Sequence, residues 1–131
     1  MLRALAVVCF LAAVTLAAQE SAKGPLPYTR KSIERGKNVY LRNCAACHDR
    51  DGKSYSGRDF TTTPPADLTD PDSWMHDKSP KGIFTSIREG TKEEMPPFKD
   101  KIKDEEIWEM VNFIRSIWPE AMRPKLEDDK N

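Results

Sequence analysis

Five residues constrain this chain more than any others: Cys44-Ala45-Ala46-Cys47-His48. Two thiols two residues apart, with a histidine directly after the second, form the pattern of a c-type haem attachment site. Each thiol adds to one vinyl group of a single haem, and the histidine stands where a ring nitrogen reaches the iron. Competing readings need partners that the chain lacks. A structural zinc site takes four ligands, yet the remaining cysteine and histidine are Cys9, within an apolar N-terminal stretch, and His76. A thioredoxin-like pair follows a strand in a βαβ pattern, and nothing before Cys44 reads as one. Thioether formation consumes both thiols, so no disulfide is expected.

The N-terminus agrees with chemistry carried out after export. Arg3 precedes an uncharged apolar run from Ala4 to Ala18, which closes on small residues before the polar Gln19-Glu20-Ser21. Residues 1–18 read as a signal peptide. The run is shorter than the ~20 residues that span a bilayer, and a retained membrane anchor is the alternative. Residues 19–31, with Pro25 and Pro27, read as a linker. The chain carries 21 basic and 21 acidic residues, and no basic stripe points to nucleic acid. From Gln19 onward, Leu, Ile, Val and Phe make up only 17 of 113 residues, below the ~20% at which disorder becomes a concern. Net charge near zero argues against a wholly disordered chain. A haem supplies the missing apolar surface, so the haem-free chain is expected to be largely unfolded.

One domain is expected over residues 32–119, all-α, followed by a flexible charged tail at 120–131. Behind Ser32, a good N-cap, Ile33, Gly36, Tyr40, Cys44 and Cys47 recur at spacings of three and four, which is one face of a helix. Gly36 within that face costs about 1 kcal/mol relative to alanine; close approach by another helix would explain it, and a tolerated glycine is the plainer account. The polar stretch from Asp49 to Thr63 leads into Pro64-Pro65-Ala66-Asp67-Leu68. Its carbonyls are placed to accept a hydrogen bond from the free ring nitrogen of His48, or the segment is a simple extended connector. Asp70-Pro71 reads as the opening of a short helix through Trp74 and Met75, and Ser79-Pro80 as the opening of another that stops at Gly90. Asp104 reads as the cap of the last helix, whose apolar face holds Ile107, Met110, Val111, Ile114 and Trp118, broadened by Trp108 and Phe113.

Between the last two helices lies Met95-Pro96-Pro97-Phe98. A low-spin electron carrier needs a sixth iron ligand besides histidine, and a thioether sulfur favours ferrous iron and raises the potential. Met95 is the expected ligand, its loop stiffened by two prolines. His76, Met75 and Met110 are the competitors; Met75 and Met110 fall on helical faces, where methionine is more often core filler.

Gly36-x-x-x-Tyr40-x-x-x-Cys44-Ala45-Ala46-Cys47-His48, the Pro-Pro-Ala-Asp-Leu stretch, the Gly90…Met95-Pro96-Pro97-Phe98 loop and the aromatic last helix together resemble a class I c-type cytochrome, bacterial and monohaem. The resemblance runs from about Ser32 to Trp118. It implies the cytochrome c fold, three to five short helices wrapped around one covalently bound haem c. It also implies attachment outside the cytoplasm, hence a periplasmic protein, and a crossing of first and last helices at Gly36 and Trp108. The implied function is electron transfer between redox partner proteins, with Cys44 and Cys47 tethering the haem and His48 and Met95 binding iron. No enzyme activity, no substrate pocket and no stable oligomer are implied. Two alternatives stand beside a free carrier: a dedicated cytochrome subunit of a periplasmic dehydrogenase or oxidase, and a haem with a labile sixth site for catalysis or gas binding. Lys78, Lys81, Lys92, Lys99 and Lys101 either ring the haem edge and steer an acidic partner or belong to an ordinary solvated surface.

Overall fold

The structure, a computed structural model, describes residues 24–93 and 95–129. The signal peptide read at 1–18 lies outside the described residues. Four helices follow in order: α1 (Arg30–Asn43), α2 (Ala45–His48), α3 (Pro80–Glu89) and α4 (Asp104–Ser116), with single 3-10 turns at Ser56–Asp59, Pro71–Ser73 and Glu120–Met122. No strand occurs among the described residues. The architecture is the all-α one expected. No helix among these residues is long and apolar enough to cross a membrane.

The main joint is α1 against α4, with α3 packed on α4. Tyr40 from α1 and Ile107, Met110 and Val111 from α4 are fully buried. The joint is close because Gly36 has no side chain. A Cβ there would lie 2.0 Å from the carbonyl oxygen of Glu109 and 2.8 Å from the backbone nitrogen of Met110. The glycine is therefore required by backbone-to-backbone contact. Its nearest neighbours are the backbone of Glu109 and Met110 and not Trp108, whose ring stacks on Phe84 of α3 at 4.2 Å and 17°. Tyr40 meets Phe113 instead, with ring centres 4.9 Å apart.

Helix ends follow local hydrogen bonding. Ser79 caps α3, its hydroxyl accepting from Gly82 N at 3.0 Å, with Pro80 at the first helical position. Gly90 ends the helix at φ +74°, a left-handed conformation that glycine adopts without steric cost. The other starts differ from expectation by one to three residues. Thr29 caps α1, accepting from Ser32 N at 3.1 Å, while Ser32 sits at the third helical position and accepts from Thr29 N at 3.2 Å. Reciprocal bonding of this kind fixes two otherwise unpaired amides. Lys103 occupies the cap of α4, its N–H bonding Glu106 Oε2 at 3.2 Å. Asp104 is drawn instead to Arg88 at 3.0 Å. The turn opened by Pro71 stops at Ser73, short of Trp74 and Met75.

The segments read as a linker and a flexible tail are tied together along one side of α4. Tyr28 and Thr29 are buried. The Asn112 side-chain amide donates to Pro27 O at 2.9 Å and Ser32 Oγ at 3.0 Å. Tyr28 N donates to Glu127 Oε1 at 3.0 Å, and Glu127 N returns a bond to Tyr28 O at 2.9 Å. A buried amide such as Asn112 must find acceptors, and the Leu26–Pro27 carbonyls supply them.

Candidate haem site

The motif sits where α1 breaks. Cys44 ends α1, its N–H bonding Tyr40 O at 2.8 Å, and α2 is a single turn closed by His48 N to Cys44 O at 2.9 Å. That turn carries Ala45, Ala46, Cys47 and His48 out of the helix line. Both cysteines are free thiols, Cys44 buried and Cys47 half-buried. Burial pushes the Cys44 thiol up to about 12, with the neighbouring Cys47 adding to the rise. Its sulfur lies 3.9 Å from Met110 Sδ.

His48 is held from behind. Its Nδ1 lies 2.9 Å from Ser54 Oγ and 3.1 Å from the carbonyl oxygen of Ala66. A carbonyl only accepts, so the proton is assigned to Nδ1, and Nε2 carries the lone pair. Burial lowers the basicity of the ring, partly countered by the Ala66 hydrogen bond and by Asp49. A neutral imidazole with Nε2 unprotonated is the state that binds iron. The donor set therefore fits a haem: a histidine in the correct tautomer directly behind two thiols, next to a largely apolar cluster. When bound, the haem supplies an Fe(II)/Fe(III) couple whose potential depends on its axial ligands and surroundings.

The roles of two residues behind His48 escaped the sequence reading. Tyr40, fully buried, places its hydroxyl 2.7 Å from Asp49 O and 3.1 Å from His48 O. It donates to the carbonyls of the turn that follows the histidine. Burial pushes the pKa of its phenol well above the ordinary range, so the hydroxyl keeps its proton. Ser54 is the other. Of the expected carbonyls, the one engaged is that of Ala66. Trp74 Nε1 bonds Asp67 O at 2.6 Å, which anchors the same segment from its far side.

Met95 is half-buried and packs against the apolar cluster that contains Cys44. Its loop is tightly closed. Met95 N bonds Glu93 O at 2.6 Å, Thr91 N bonds Met95 O at 3.0 Å, and Phe98 N hooks onto Ile87 O at 3.2 Å. A Cβ at Gly90 would lie 2.6 Å from Met95 O, so the helix stop and the methionine loop are built as one unit. Of the competitors, two stand at the surface and the third, Met110, lies beside Cys44. Met75 is 79% exposed, Met110 is fully buried between helices, and His76 Nε2 pairs with Glu93 at 3.0 Å on the surface.

The family model described as cytochrome c oxidase, cbb3-type, subunit III matches residues 31–114. The cytochrome c subunit of alcohol dehydrogenase (quinone) from Gluconobacter oxydans (strain 621H) is 33% identical over 86 residues, 63% of this chain and 18% of that protein. The gluconate 2-dehydrogenase cytochrome c subunit of Pantoea cypripedii is 32% identical over 89 residues, 65% of this chain and 20% of that protein. The chain thus spans about a fifth of the length of these relatives. Among solved structures, cytochrome cL from Hyphomicrobium denitrificans shares the fold at a TM-score of 0.58, with 23% identity over 76% of this chain and 62% of that one. The chain belongs to the cytochrome c oxidase, cbb3-type, subunit III family and is a class I c-type cytochrome.

Proposed function

We propose that this protein is an exported carrier of single electrons built on one haem. Cys44 and Cys47 would hold the haem through thioether bonds, each thiol's sulfur and hydrogen going to the two carbons of one vinyl group. His48 Nε2 and Met95 Sδ would hold the iron. The leader at 1–18 directs the chain to the periplasm, the domain at 32–119 carries the haem, and the tail at 120–131 lies outside the electron path. The supporting observation is that His48 Nδ1 is committed to Ser54 and Ala66, which leaves Nε2 as the ligand atom. The chain's residues orient that nitrogen, keep water from the thioether side through Cys44 and Met110, and hold the methionine loop closed. None of them acts as an acid, a base or a nucleophile toward a substrate.

The test is the optical spectrum of the purified protein, oxidised, reduced, and reduced with carbon monoxide. The expected result is a low-spin c-type spectrum with a far-red sulfur-to-ferric band, unaltered by carbon monoxide. Met95→Ala removes that band and opens the ferrous haem to carbon monoxide. A Met95→Ala spectrum identical to the native one overturns the ligand assignment, and a native protein that binds carbon monoxide readily points to a labile site.

A second reading has support of its own. The relatives from Gluconobacter oxydans and Pantoea cypripedii are cytochrome c subunits of dehydrogenases. In that reading the domain serves one larger enzyme as its dedicated electron acceptor. Co-purification from the native source separates the two: a free carrier elutes alone, a subunit with its dehydrogenase.

A further inference from the structure

Ser54 is the most unusual residue in the structure. It is fully buried, and it holds φ +62°, a left-handed conformation. For a residue other than glycine that conformation is strained, and such strain persists where the surroundings enforce it. A glycine would make the turn at no steric cost. The serine adds one hydroxyl, and that hydroxyl has two partners, Ala66 O at 2.5 Å and His48 Nδ1 at 2.9 Å. Its backbone N–H bonds His48 O at 3.3 Å, so the residue grips the histidine at both its carbonyl and its ring.

The hydroxyl has a single proton. The short contact sends it to Ala66 O, because a carbonyl cannot donate in return. Ser54 Oγ is then the nearer acceptor for the Nδ1–H of His48, and Ala66 O, at 3.1 Å and already engaged, is the farther one. An aliphatic hydroxyl oxygen draws on an N–H less strongly than an amide carbonyl does. The harder Nδ1–H is pulled, the more negative charge the imidazole passes to iron, and the more the ferric state is favoured.

We propose that Ser54 is a positioning residue that interposes its hydroxyl between the His48 ring and the Ala66 carbonyl, and so holds the reduction potential above what the carbonyl alone would set. This rests on the proposed ligation of iron by His48. Removing the hydroxyl frees Ala66 O to take the Nδ1 proton directly. The potential then falls.

Two variants separate the hydroxyl from the backbone. Ser54→Ala keeps the strained turn and loses the hydroxyl; Ser54→Gly loses the hydroxyl and relieves the turn. Each is measured as the haem-loaded full protein, by redox titration and by proton NMR of the reduced, diamagnetic form. The expected result is the same in both variants. The Fe(III)/Fe(II) ratio at a fixed potential rises about threefold, a fall of about 28 mV at 59 mV per tenfold for one electron, and the Nδ1–H resonance moves downfield. The glycine variant melts at the higher temperature of the two. If both variants keep the native potential and resonance, or if the potential rises and the resonance moves upfield, the inference is overturned. A native His48 ring whose protons lack the large shifts of an iron-bound imidazole overturns the ligation itself, so the two failures are distinguishable.

Discussion

Glu109 places a carboxylate in the α1–α4 joint with only 9% of its side chain exposed, 3.4 Å from an Arg35 guanidinium that is itself more than half exposed. Burial raises its pKa above the ordinary 4.5, and Arg35 only partly opposes this. The folded protein therefore holds this proton to higher pH than the unfolded chain does. Stability from this group is present below the unfolded value and lost as pH rises through the folded one. Glu109→Gln is expected to raise the melting temperature near pH 7 and to change it little near pH 3, where the side chain is protonated in the folded and the unfolded chain alike. Equal shifts at both pH values would assign the effect to packing alone. The position shows what a sequence conceals: nothing in the run Ile107-Trp108-Glu109-Met110 marks this glutamate as buried, because the breadth of the apolar face is set by how closely Gly36 admits α1. Ser54 and the Tyr40 hydroxyl were hidden for a similar reason, since their partners are fixed by the path of the chain after His48.

At the level of elements, the crossing of α1 and α4 is the feature most exposed to a single change. Gly36→Ala places a methyl group 2.0 Å from Glu109 O, and neither helix backbone can yield without moving Tyr40 or Met110. The expected cost is about 3 kcal/mol, at the upper end for overpacked cores, read as a lowered denaturant midpoint with the haem spectrum retained. A loss under about 0.5 kcal/mol, the range of ordinary surface substitutions, would mean that the joint is looser than its geometry. The α3 start at Ser79-Pro80 and its stop at Gly90 were legible because each rests on a local steric rule, whereas the crossing at Gly36 was one of two readings of that glycine and came from the family resemblance. The starts of α1 and α4 were shifted because several polar residues competed for each cap, and the choice depended on tertiary partners: Asp104 turned to Arg88, and Ser32 to Thr29 and Asn112. The cysteine pair and His48 were legible as chemistry, and the Ala66 carbonyl as one of several candidates behind them.

For the molecule as a whole, the small stock of aliphatic residues places the weight of folding on the cofactor. The full-length chain produced without haem is expected to lose most of its helical circular dichroism; native-like helicity would show that the protein core suffices. Of the five lysines considered for steering, Lys78 is paired with Asp72 at 2.5 Å and Lys99 with Glu89 at 2.9 Å. The meeting of Cys44 with Met110 bears on the order of assembly. Sealed in the finished fold, that thiol is a poor nucleophile, since the thiolate is the reactive form and burial pushes its pKa to about 12. The methionine that covers it lies 66 residues further along. With attachment expected after export, the thioether bond at Cys44 would belong to the exported chain while it is still open, before α4 packs against α1.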